Sequence, residues 1–155
     1  MISENRAIQL LKLFLAALFL LFTVLQTFSF PGQFRYMAQT SPHDAHLRWP
    51  LTFAVGFIFL CAQVVIISIW KLMTLIQKEQ IFTEQSLIWF DRIVYAIGAA
   101  SLVPAGALIL LFIYGDDPGL PMVMVTLLTF LAVLLLVTNL LKTRTQKVIS
   151  ILKIN

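Results

Sequence analysis

The chain reads as an all-α polytopic membrane protein, four transmembrane helices in an antiparallel bundle, and three observations lead there. Hydrophobic residues make up 60% of it and charged residues only 12%, whereas about a quarter of the residues in a water-soluble domain are charged. Its mean hydropathy is +0.94, so lipid has to be the solvent for most of its surface. Four apolar segments, at about 8–30, 51–75, 84–114 and 120–141, each reach the roughly 20 residues that a helix needs to cross the hydrocarbon core. Together with a basic tail over 142–155 they make a single transmembrane domain, residues 1–155, a length that suits one domain.

The first span runs from Ile8 to Phe30, with Lys12 snorkelling to the headgroups. Its apolar part exceeds the roughly 7 to 15 residues of a signal-peptide core and no small-x-small cleavage site follows, so it is read as a membrane helix. Pro31 and Gly32 are expected to stop it, leaving a polar loop that holds Arg35, His43, Asp44, His46 and Arg48. Trp49 and Pro50 open the second span, the proline in the first turn where its missing N–H is not needed. Leu51 to Trp70 is uncharged, Lys71 marks the opposite interface, and the helix is expected to continue toward Gln77. The third span contains the uncharged run Ile93 to Tyr114, in which Pro104 removes a hydrogen bond to the Ala100 carbonyl and predicts a kink. Gly115 to Gly119 form a tight acidic turn, and the fourth span, Leu120 to Leu141, starts with Pro121 and ends at Lys142. The tail KTRTQKVISILKIN is expected to lie on the membrane surface, with Lys142, Arg144, Lys147 and Lys153 toward phospholipid headgroups.

Four spans put both termini on one side. Of the eleven Lys and Arg residues, Arg6, Lys12, Lys71, Lys78, Arg92, Lys142, Arg144, Lys147 and Lys153 fall on the side of the termini, and only Arg35 and Arg48 on the other. The positive-inside rule therefore places the termini and the loop between the second and third spans in the cytoplasm. The same distribution accounts for the net charge of +4 without direct nucleic-acid binding, which would gather cations on one soluble face.

That loop, within KEQIFTEQSLIWFD (Lys78 to Asp91), is the polar interval with the most structure in its sequence. Thr83 suits an N-cap, Glu84 adds negative charge where the helix dipole favours it, and Phe82 faces Leu87 as a hydrophobic staple, so the third helix should begin near Glu84. Its plainest role is to seal the end of the bundle. Lys78, Glu79, Ile81, Phe82, Thr83 and Glu84 are also the residues through which a cytoplasmic protein partner would dock.

Here the sequence resembles a known group. A long apolar helix, a short charged linker, Ile81-Phe82-Thr83-Glu84, then a long helix with a small-residue core is similar to the bacterial four-helix membrane proteins of domain-of-unknown-function family twenty-nine-seventy-five. Members typically show a glycine two positions before the Ile-Phe pair and an asparagine three after the threonine; those positions are Glu79 and Ser86 here. The family carries no established activity or catalytic residues. Some members are encoded beside small helix-turn-helix regulators, and the resemblance implies a regulatory or partner-binding role in a bacterial inner membrane.

Asp91, Tyr95, Gly98, Ser101 and Ala105 recur at spacings of three and four. Small residues let helices approach in lipid, so this stripe is expected to face the other helices, with a homodimer seam as the alternative. Asp91 lies near the depth of Lys12, Lys71 and Asn139 and is expected to pair with one of those cations, since an unpaired carboxylate at the edge of hydrocarbon is costly. Gln63, with Gln26, Thr126 and Thr129 as lesser cases, is expected to hydrogen-bond across helices. Mid-membrane ionisable groups are missing from the spans, which argues against proton-coupled transport. Cys61 is a lone cysteine in an apolar run and reads as a small buried residue. His43 and His46 flank Asp44, yet a third and fourth ligand are not evident, so neither metal nor cofactor is expected. Nor is there a nucleophile elbow, a zinc-protease helix or a phosphate-binding glycine loop. The expected function is a non-enzymatic membrane protein with a regulatory or partner-binding role; the alternative is a small transporter or channel subunit acting as a homo-oligomer.

Overall fold

A computed structural model of the chain describes residues 3–114 and 119–155. Five α-helices make four membrane-length rods: α1 (Glu4–Val24) continues through one π turn (Leu25–Ser29) into α2 (Phe30–Thr40), a 3-10 turn (Pro42–Leu47) leads to α3 (Arg48–Gln77), and α4 (Glu84–Tyr114) and α5 (Gly119–Ile154) follow. All four rods are long and apolar enough to cross a membrane, and no strand occurs among the described residues. The acidic turn expected before α5 falls at 115–118, outside the described residues.

The rods pack in chain order. α1 lies against α3, α3 against α4 and α4 against α5, so α3 and α4 are central and the other two flank them. The densest core joins the end of α3 to the start of α4: Leu72 and Leu75 bury against Phe90, Ile93 and Ile97, with Leu131 and Leu135 of α5 packed on the same cluster. A second cluster sets Cys61 against Ala96 and Ala100, whose small side chains bring α3 and α4 together. Outward positions such as Phe14, Phe112 and Leu136 stay exposed and apolar, as lipid-facing surface requires.

Three expectations are corrected. Pro31 and Gly32 do not stop the first helix, which runs to Thr40, so residues 31–40 are helical and not loop. A proline ring needs space at the carbonyl four residues back and has no N–H to give. The π turn just before it supplies that space, with the Phe30 N–H bonded to the Leu25 carbonyl five residues back. Gln26, in the widened turn, donates to the Gly56 carbonyl of α3 at 2.9 Å, and Phe59 of α3 packs between Phe22 and Phe30 at centroid distances of 4.9 and 5.2 Å.

The stripe from Asp91 to Ala105 does not face the other helices as a unit: Asp91 turns to α5, where Lys142 meets it, but the stretch through Tyr95 and Gly98 points away from them. Tyr95 is 77% exposed and a Cβ placed on Gly98 would meet nothing within 4 Å. The buried face of α4 carries Phe90, Ile93, Ala96, Ile97, Ala100 and the fully enclosed Pro104, about a third of a turn round the helix from the stripe at 3.6 residues per turn.

The tail does not lie along the membrane surface. α5 is one helix of 36 residues, about 54 Å long, and its last turns run on past the span beside the start of α4. Thr145 and Ile149 are buried there and Lys153 reaches Glu84. A sheltered apolar face was available beside α4, and burying Ile149 there removes it from water.

Candidate functional site: the polar end of the bundle

The chain turns between α3 and α4 by a glycine-type helix ending without a glycine. The N–H of Gln80 bonds to the Leu75 carbonyl at 2.8 Å and that of Glu79 to the Ile76 carbonyl at 3.0 Å, the paired 6→1 and 5→2 bonds of a Schellman motif. Its pivot is Glu79, with φ +56°, in the left-handed region where a Cβ crowds the backbone. The pivot falls where the family resemblance puts a glycine.

The four residues that follow launch α4. Thr83 immediately precedes the helix, as its sequence suggests, but its hydroxyl donates back to the Gln80 carbonyl at 2.7 Å. The first-turn N–H and hydroxyl of Ser86 both bond to the Thr83 carbonyl, at 3.1 and 2.8 Å. Ser86 is completely buried. Ile81 packs on the Leu72–Phe90 core, while Phe82 remains 47% exposed at the mouth of a groove of about 640 Å³ between α3, α4 and α5.

Charges at this end are sorted by helix face. Glu84 and Asp91 are seven residues apart on α4 and both turn to α5, where Glu84 accepts from Lys153 at 2.5 Å and Asp91 is paired with Lys142. Lys142, and neither Lys12 nor Lys71, is thus the partner of Asp91, a correction set by the close packing of α4 on α5. Lys12 is engaged elsewhere: its ammonium donates to the Thr74 hydroxyl at 2.9 Å and the Gln77 amide oxygen at 2.7 Å, and stands 5.6 Å over the ring of Trp70. Lys71, Lys78 and Arg92 enter no ion pair among the described residues, and Arg92 stacks on Trp89 at 4.3 Å. With Glu84 mostly exposed and Asp91 partly so, each pair contributes little by itself. For Asp91 and Lys142 a double-mutant cycle (Asp91→Asn, Lys142→Gln) in detergent-driven unfolding is expected to return a coupling of about 1 kcal/mol. A coupling near zero would leave the pair without structural weight.

Within the membrane, Gln63 is buried and donates to the Thr23 hydroxyl of α1 at 3.0 Å. Thr126 and Thr129 bond to carbonyls of their own helix. Asn139 is half-buried on α5 and its side chain enters no hydrogen bond among the described residues. Beyond α2, the His46 Nδ1 lies 3.0 Å from the His43 carbonyl oxygen, and no three His, Cys, Asp or Glu side chains gather for a metal among the described residues; the Asp44 side chain lies outside them.

Reading the sequence missed the sorting of charge, although the signal was there: Lys71 and Lys78, Gln85 and Arg92, and Glu84 and Asp91 are each seven apart, two helical turns and therefore one face.

Four apolar rods, a core between their central pair and polar groups gathered at the ends define a multi-pass α-helical membrane protein. Residues 32–151 match the family model described as protein of unknown function DUF2975, and the chain belongs to that family. No curated protein and no solved structure matches it.

Proposed function

We propose that the chain is a non-enzymatic protein of a bacterial inner membrane, with both termini in the cytoplasm, that acts as a regulatory or partner-binding protein through the end built from the α3–α4 turn and the last turns of α5. The observation that carries this reading is Phe82. A half-exposed aromatic side chain stands on a turn braced on one flank by the Glu79 pivot and on the other by Glu84 and Lys153. Rigid exposed aromatics make strong anchors because little freedom is lost on binding. The groove beneath it, lined by Met73, Ile76, Phe90 and Val148, offers the apolar surface an anchor needs, with Lys78 and Glu79 exposed beside it. Orientation is supported by the excess of Lys and Arg at this end.

The transport reading has less support. Gln63 and Gln26 spend their amides on Thr23 and the Gly56 carbonyl, and the threonines of α5 on their own helix, so these polar groups do not line a shared wet path.

The test places a photo-crosslinking residue at position 82 in growing cells, with position 112, at the far end of α4, as control. A discrete adduct to a soluble protein at 82 only, lost in Lys78→Glu, is expected. Absence of any adduct, or the same one from position 112, overturns the docking role. A reporter active only outside the cytoplasm, fused after Asn155, is expected to stay silent.

A further inference from the structure

Three of the cations without a carboxylate partner among the described residues share one pocket. Lys71 of α3, Lys78 just past its end and Arg92 of α4 line a cavity of about 380 Å³ with Thr74 and Trp89, and no carboxylate lines it. It opens on the other side of the α3–α4 pair from the groove below Phe82. Glu84 and Asp91, the acids of the same stretch of α4, are drawn to α5 by Lys153 and Lys142. Arg92 is steadied by Trp89, its guanidinium 4.3 Å from the ring centre. Three like charges held together without a counter-charge fit an anion that several donors share, and a phosphate group has that chemistry.

Depth tells where the phosphate comes from. Lys71 is the first charge after the uncharged run Leu51 to Trp70, and Arg92 the last before the uncharged run from Ile93. Both therefore mark the headgroup layer. An apolar groove of about 430 Å³ lies on the membrane side of Lys71, between α1 and α3, lined by Leu15, Phe19, Ile66 and Trp70 among others. Lys12 connects the two, standing over Trp70 of the groove and bonded to Thr74 of the pocket. A soluble phosphate would not use such a groove; an acyl chain would.

We propose that Lys71, Lys78 and Arg92 bind the phosphate headgroup of an anionic phospholipid whose acyl chain lies in the α1–α3 groove. The pocket opens away from the Phe82 groove and has only Lys78 in common with the docking surface; it does not rest on the partner role, so it is tested on the purified protein alone.

Native mass spectrometry of detergent-solubilised protein offered equal phosphatidylglycerol and phosphatidylcholine reads the preference directly. Phosphatidylglycerol is expected to be retained at least about tenfold over phosphatidylcholine, given the contribution of each cation near a membrane surface. The triple variant Lys71→Gln, Lys78→Gln, Arg92→Gln should bring the ratio close to one. Removing the same charge elsewhere, with Arg6→Gln, Arg144→Gln and Lys147→Gln, should leave it unchanged. Should the pocket triple fail to fold, the double variant Lys71→Gln, Lys78→Gln changes two exposed side chains and must lower the ratio. Equal retention of the two lipids by the unaltered protein, or a wild-type ratio in either pocket variant, overturns the proposal. Millimolar inorganic phosphate should not displace the lipid; displacement would assign the pocket to a soluble phosphate and overturn the lipid assignment.

Discussion

Phe90→Ala is expected to cost the folded chain about 3 kcal/mol, near the low end of the range for deleting a buried aromatic ring. Phe90 is buried among Leu72, Leu75, Ile93 and Ile97, and it precedes Arg92, so it belongs to the part of α4 outside the hydrocarbon layer. There the unfolded alternative is contact with water, and the full transfer term applies in addition to the cavity. Ile97 belongs to the same cluster but stands four residues into the uncharged run. For Ile97→Ala the alternative solvent is lipid, the transfer term vanishes, and only lost packing remains, about 1 kcal/mol. Detergent-driven unfolding of the two variants therefore measures where the lipid ends along α4. Equal losses would place Phe90 inside the hydrocarbon layer and remove the water-exposed end on which the docking reading depends.

Glu79→Gly is expected to act in the opposite direction. A side chain in the left-handed region costs about 1–2 kcal/mol, and glycine returns part of that through its greater freedom in the unfolded chain, leaving a net gain of about 1 kcal/mol. Glu79→Ala keeps the strained Cβ and is expected to change stability little, which separates backbone relief from loss of charge. If alanine stabilised as much as glycine, the cause would be electrostatic. Strain of this kind persists where the surroundings hold it, here the two Schellman bonds on one side and Ile81 packed in the core on the other. A Glu79→Gly protein that is more stable yet loses the crosslink at position 82 would mean that the carboxylate is kept for the partner.

Much of this molecule follows from local chemistry. The step from Trp70 to Lys71 and the uncharged run from Ile93 mark interfaces because charge is excluded from hydrocarbon. Thr83 followed by Glu84 starts a helix at the residue where α4 begins, and the end of α3 at Gln77 follows from the polar residues after it. Pro31 was misleading, because a proline ends a helix only when the preceding turn cannot widen, and a π turn is set by what packs around it: here Phe59 against Phe22 and Phe30, and Gln26 on Gly56.

By itself the sequence determined the solvent, the number of spans and the position of the α3–α4 turn, since each depends on where charge and backbone hydrogen bonds can be accommodated. The tertiary structure alone decided which faces meet. In water an inward face is apolar and an outward face polar, so periodicity reports both. In lipid both are apolar, so the stripe through Tyr95 and Gly98 looks no less internal than the one through Ile93 and Ala100 until α3 is laid against the second. For the same reason the partner of Asp91 depended on which helix lay beside α4: with α5 there, the cation is Lys142, and Lys71, Lys78 and Arg92 are left to share a pocket.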